Sequence, residues 1–164
     1  MKTGTAVVVI AMCVFAFALA GCSSLLGSES QEAQQASANR QYMAQLNQQM
    51  ADLQQVMDDF QTAVSEQNTV AMKAQVEKAE AIAQRIDAGT ATDELADAKG
   101  LYVDALSTLN GAMKDYADLY IEVENGTVSA EDVESRVKDI QDAYDDGVAK
   151  LQEADNAVAA LAQG

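Results

Sequence analysis

The sequence predicts an all-α protein: an antiparallel bundle of three to four long helices with coiled-coil-like heptad seams. Three observations carry that reading. No proline occurs in the 164 residues, so no ring forces a helix to break. Ala, Gln, Glu, Asp and Leu dominate the remainder, a helix-forming composition. Apolar residues then recur in alternating steps of three and four from Met43 onward, the period of a helix face and not of a strand. Apolar residues make up 49% of the chain, enough to pack a core, whereas aromatic residues make up 5%.

The chain opens with one cation, Lys2, followed by an uncharged apolar run from Ala6 to Ala20. A spanning helix needs about 20 apolar residues. This shorter run instead has the length of a signal-peptide core. Leu19-Ala20-Gly21-Cys22 comes next, with small residues at 20 and 21 that suit the narrow subsites of a peptidase. Charge, apolar run and tetrapeptide arrive in the order found in bacterial lipoproteins, and residues 1–22 resemble the export signal and lipobox of that class. The resemblance implies cleavage between Gly21 and Cys22 and a diacylglyceryl group on the Cys22 thiol through a thioether. Cys22 would become the mature N-terminus, often with a third acyl chain on its amine. One acyl chain binds a membrane only marginally, whereas two or more, at about 0.8 kcal/mol per buried CH₂, anchor stably. The expected location is the outer face of the cytoplasmic membrane, or the outer membrane in a Gram-negative host.

Three regions follow: residues 1–21 as a cleaved signal, 22–38 as a flexible membrane tether, and 39–164 as an acidic helical bundle. The tether rests on the Ser-, Gly- and Gln-rich stretch SSLLGSESQEAQQASA. In the bundle, Met43, Leu46, Met50, Leu53, Met57, Phe60 and Val64 form one seam over three heptads. Residues 65–69 shift its phase. Met72, Val76, Ala79, Ala83 and Ile86 resume it eight residues beyond Val64. A tight turn with Asn68 or Thr69 as the next N-cap fits this shift. A continuous helix with a stutter is the alternative, since no Gly or Pro enforces a break.

Asp87-Ala88-Gly89-Thr90-Ala91-Thr92 suggests a second boundary, with Gly89 as a C′ residue and the threonines as caps. Leu95, Ala98, Tyr102, Ala105, Leu109, Ala112, Tyr116, Leu119 and Val123 carry the third seam, widened by Leu106, Met113 and Tyr120. Glu124-Asn125-Gly126-Thr127 ends that helix at another C′ glycine. Ser129, three residues before Asp132, caps the last one. Its seam runs through Val133, Val137, Ile140, Tyr144, Gly147, Leu151, Ala154, Val158 and Leu161. Gly147 falls on the seam itself, where a neighbouring backbone or a Tyr ring can approach closely.

Charge and residue inventory narrow the function classes. The formal net charge is −16, and every Asp and Glu follows Cys22. Such a polyanion repels nucleic-acid phosphates and anionic headgroups, so no nucleic-acid partner is expected. It either hydrates the surface or meets a cationic partner surface. The two cysteines, Cys13 and Cys22, both precede the bundle, which rules out a disulfide framework there. The chain has no His, and so lacks the commonest metal ligand and the commonest base near neutral pH.

The motifs that invite chemistry read as structure. Asp142, Asp146, Gly147 and Glu153 match part of an EF-hand loop, but Tyr144 replaces an oxygen ligand and Lys150 takes the ninth position. The seam through Tyr144, Gly147 and Leu151 also keeps helical phase across the motif. Met43, Met50 and Met57 stand about 10.5 Å apart along a helix, too far to share one soft metal. They read as packing or as a pliable groove for a peptide or helix. Tyr102, Tyr116, Tyr120 and Tyr144 share apolar stripes, as core or rim residues or, less simply, as a ligand-lining cluster. Asp58/Asp59, Asp115/Asp118 and Asp139/Asp142 read as hydrated surface.

No catalytic, cofactor or metal residues are therefore expected. The expected protein is a non-enzymatic lipoprotein, anchored to the membrane through lipid on Cys22, that binds or scaffolds a protein or cell-wall partner. A ligand- or peptide-binding sensor or accessory module of the envelope is the alternative.

Overall fold

The computed structural model describes residues 31–161, all of its regular structure helical. The lipobox, with Gly21 and Cys22, and the first part of the tether lie outside the described residues. Four helices follow in order: α1 Gln31–Ser65, α2 Thr69–Ala88, α3 Ala96–Glu124 and α4 Ala130–Leu161. A single 3₁₀ turn, Asp93–Leu95, leads into α3.

The helix expected from residue 39 already runs from Gln31, so residues 31–38 of the expected tether are helical. Composition and a tertiary tie explain the difference. Gln31 to Ala38 contain no Gly or Pro and are mostly Gln, Glu and Ala, good helix formers. Asn39 also donates to Glu94 Oε2 at 2.7 Å, with Gln35 near the same oxygen at 3.5 Å.

The phase shift at 65–69 is a break and not a stutter. Glu66 and Gln67 make the turn, Gln67 in the left-handed region with φ 57°. Asn68 caps α2 by accepting from the Ala71 amide at 3.0 Å. At the α3–α4 turn Gly126 takes φ +65°, as its C′ position requires. Ser129 Oγ accepts from the Asp132 amide at 3.1 Å and donates to the Asp132 carboxylate at 2.6 Å, closing the cap from both sides.

The boundary at 89–92 differs from expectation. Gly89 has φ −63° and ψ 140°, an extended conformation open to any residue. Space favours glycine here: an added Cβ would lie 3.3 Å from Tyr42 Cε2 and 3.2 Å from the Ile86 carbonyl oxygen, so the Tyr42 ring would have to give by a few tenths of an ångström. Thr92 precedes the 3₁₀ turn without capping it; its hydroxyl donates to Asn39 Oδ1 instead.

The backbones approach mainly between consecutive helices: α1 with α2, α2 with α3, and α3 with α4. A main core joins all four, through Leu46 and Leu53 of α1, Ile82 and Ile86 of α2, Tyr102, Leu106 and Met113 of α3, and Ala154 of α4. A smaller cluster of Ala63, Met72 and Ala117 lies near the 66–68 turn. Phe60 meets Tyr116 edge-on, with ring centroids 6.0 Å apart.

In α3 the expected seam is the buried one, except that Val123 is exposed and Tyr116 and Tyr120 are only half-buried. In α1 the buried stripe is rotated toward Tyr42, Val56 and Ala63, and leaves Met43, Met50 and Met57 half-buried on its flank. In α4 only Gly147 and Ala154 are buried, because α3 is the one helix against which its backbone packs closely. Gly147 does mark a close approach. The neighbour is Leu109, whose Cγ would lie 2.7 Å from an added Cβ.

Candidate functional site

A cavity of about 260 Å³ lies between α1 and α2. Tyr42, Gln45, Leu46 and Gln49 line it from α1, with Arg85, Ile86 and Gly89 from the end of α2. The absent Gly89 side chain leaves room for the Tyr42 ring, and Leu46 and Ile86, both buried, give apolar walls. The polar groups are few. Arg85 Nε donates to Gln49 Oε1 at 2.6 Å, which fixes the guanidinium plane at the cavity. Tyr42 is only 5% exposed, and its hydroxyl is buried without a hydrogen-bond partner. Burial pushes the Tyr42 phenol up from its ordinary range.

Tyr42 and Tyr102 belong to the same buried core. Tyr102 is also buried and donates to Asp155 Oδ1 at 2.5 Å. Burial first, and the Asp155 carboxylate second, drive the Tyr102 phenol far above its usual range, so both rings are neutral at any physiological pH. The Tyr102–Asp155 bond ties α3 to α4.

A second, wider depression of about 500 Å³ lies on the other side of the same segment, lined by Asp87, Gly89, Ala91, Lys99, Gly100 and Val103 among others. Its cation is already engaged: Lys99 Nζ donates to the Gly89 carbonyl at 2.9 Å and lies 4.0 Å from Asp87.

The residues singled out in the sequence disperse. Asp142, Asp146 and Glu153 sit on an uninterrupted stretch of α4, and the Lys150 ammonium lies 3.1 Å from Asp146, where a calcium loop would need an oxygen. The same ammonium lies 3.9 Å from Asp104, so it bridges α4 to α3. Among the described residues, no three of His, Cys, Asp or Glu gather as a metal site would require, and no helix is long and apolar enough to cross a membrane. Asp58 and Asp59 accept from Gln54 and Gln55 one turn earlier, and Asp118 and Asp142 pair with Lys114 and Lys138. Tyr116 and Tyr144 are half-buried and held above their usual range by burial. Tyr102 alone of the four expected tyrosines joins a polar cluster.

Sequence reasoning missed Tyr42 and Arg85. Tyr42 stands four residues before Leu46 on its own helix, which is a legible signal, but the Met43 heptad drew the seam to the adjacent flank. Nothing in the sequence brings Arg85 to Gln49. No protein-family model matches the chain, and neither the curated proteins nor the solved structures searched hold a match.

Proposed function

We propose that this is a bacterial lipoprotein, exported, cleaved before Cys22 and held by lipid at the outer face of a membrane, where it displays an acidic helical bundle. The observation that carries the reading is Leu19-Ala20-Gly21-Cys22 at the end of a charged and then apolar leader. The role is binding or scaffolding in the envelope, not catalysis. The folded part lacks His and Cys, and the carboxylate pairs singled out in the sequence are engaged with neighbouring Gln or Lys side chains or lie on open helix faces. Its partner is a protein or a wall component with a cationic face, in keeping with a charge of −16.

The bundle is antiparallel and its seams coiled-coil-like in this reading. Gln49 with Arg85 and Asn39 with Thr92 support opposite running of α1 and α2, while Glu122 with Arg136 and Tyr102 with Asp155 support it for α3 and α4. Residues 22–30 then serve as the tether.

Cys22→Ser tests the anchor. The expected result is loss of fatty-acid labelling and accumulation of unprocessed precursor. A variant that is still labelled, or a native mature chain beginning elsewhere than Cys22, would overturn the reading. Crosslinking on intact cells tests the partner, and recovery of neither protein nor wall material would remove the scaffold role.

A further inference from the structure

We propose that Asn125 is a self-modifying residue: in the folded protein the Gly126 backbone nitrogen slowly displaces the Asn125 side-chain amide as ammonia. This goes beyond the lipoprotein reading and does not depend on acylation.

The chemistry is local. An asparagine followed by glycine leaves the next backbone nitrogen without the shielding of a Cβ. That nitrogen attacks Asn125 Cγ and forms a C–N bond. The bond from Cγ to the side-chain NH₂ breaks, and ammonia leaves with the proton that the Gly126 nitrogen gives up. Water then opens the cyclic imide at either carbonyl. One opening yields aspartate, the other isoaspartate, whose main chain runs through the former side chain. No oxidant or reductant is involved.

Sequence alone offers two such pairs, Asn110-Gly111 and Asn125-Gly126. The structure separates them. Cyclisation needs the following nitrogen rotated toward the side chain by roughly a third of a turn from helical ψ, which ends a helix at that residue. Asn110 stands at the middle of α3, and its side-chain oxygen is buried. Opening α3 there means disrupting the core around Leu106, Leu109 and Met113.

Asn125 instead ends α3, with φ −79° and ψ −7°. It needs a similar rotation, but little holds it. The Gly126 amide donates to the Val123 carbonyl at 3.1 Å, and the Thr127 amide to the Glu122 carbonyl at 2.9 Å, the two bonds of a Schellman turn. The Thr127 hydroxyl adds a third, to the same Glu122 oxygen at 3.1 Å. Glu124, Asn125, Gly126 and Thr127 are all exposed. Exposed turns at helix ends open at far lower cost than helix centres. Opening of this turn therefore sets the rate.

The product alters the link between α3 and α4. Isoaspartate adds one main-chain carbon inside the rings that both amide bonds close. Either product puts a carboxylate at the negative end of the α3 dipole, close in sequence to Glu122 and Glu124. Glu122 is the residue that pairs with Arg136 of α4.

The test ages the full chain in nonionic detergent at mildly alkaline pH, folded and, in parallel, unfolded in guanidinium chloride. Trypsin, cutting after Lys99, Lys114 and Arg136, then puts the two asparagines on separate peptides. Mass spectrometry reads the exchange of NH₂ for OH, and chromatography separates isoaspartate from aspartate. In the unfolded chain the two sites should convert at rates within about threefold of each other. In the folded chain Asn125 should convert at least about tenfold faster than Asn110, and at least about threefold slower than it does unfolded. Gly126→Ala, compared in the unfolded chain where the positive φ has no bearing, should slow conversion at least about tenfold. Four results would each overturn the proposal: folded-state conversion of Asn110 as fast as that of Asn125, equal rates at Asn125 folded and unfolded, an undiminished rate in Gly126→Ala, or no conversion of folded Asn125 over about a hundred times the unfolded half-time.

Discussion

Replacing Gly147 by Ala measures how tightly α3 and α4 meet. On an open helix surface that change stabilises by about 1 kcal/mol, because Ala loses less backbone freedom and exposes less of the helix. At Gly147 the new methyl would stand 2.7 Å from Leu109 Cγ, 2.8 Å from Leu109 Cδ2 and 3.2 Å from the Leu109 amide nitrogen. Cδ2 can swing by χ2 and Cγ only by leaving its packed χ1 rotamer, while the amide nitrogen moves only with the backbone of α3. Overpacking of this kind costs about 1–3 kcal/mol, so the net change runs from near zero to about 2 kcal/mol of destabilisation. Gly111 is the internal reference. It lies in the same helix pair, is exposed, and an added Cβ there meets nothing within 4 Å. Gly111→Ala is expected to gain the full propensity term, which separates the two variants by about 1–3 kcal/mol. Equilibrium urea unfolding followed by circular dichroism at 222 nm reads the difference as a shift in midpoint at constant slope. If Gly147→Ala raises the midpoint as far as Gly111→Ala does, the close approach of Leu109 is not a feature of the folded protein.

Three further outcomes follow from the polar groups. Tyr42→Phe removes a hydroxyl that has no partner and should leave stability unchanged or raise it by about 1 kcal/mol, whereas Tyr102→Phe strips Asp155 of its donor and should cost about 1.5–3 kcal/mol; urea midpoints distinguish the two. Tyr42, Tyr102, Tyr116 and Tyr144 all have folded-state values raised by burial, so their contribution is complete below the unfolded phenol value of about 10 and is lost as pH rises above it. Thermal melts between neutral pH and about pH 11 should show a fall confined to the alkaline end, made shallower by Tyr102→Phe. Ser129→Ala removes the cap of α4 and should cost about 1 kcal/mol, while Ser135→Ala on the exposed face of the same helix should cost less than half of that.

The fold was legible because helices repeat their signal every turn. Four segments, the 66–68 break, the Asn68 and Ser129 caps and nearly the whole α3 seam follow from spacing and turn chemistry alone. The failures are equally physical. Spacing in α1 finds an apolar stripe but not which flank a neighbour covers, so Met43 and Met50 stood in for Tyr42 and the deeper Val56. In α2, Ile82 is buried although the seam as read ran through Ala83. Gly89 reads as a C′ residue because its residue type suits that position. What crowds it, a Tyr ring nearly fifty residues earlier in the chain, leaves no local trace. The Arg85–Gln49 bond is invisible for the same reason, since it depends on register between two helices and not on either sequence by itself.

The pattern of backbone contacts has a kinetic consequence. Because each helix packs chiefly on its neighbour in the chain, little of the structure waits for distant segments to find one another. Folding can proceed hairpin by hairpin, and helical proteins rich in such local contacts fold on the order of microseconds to milliseconds. For a chain proposed to be exported, that speed shortens the interval in which its apolar stripes stand open to proteases.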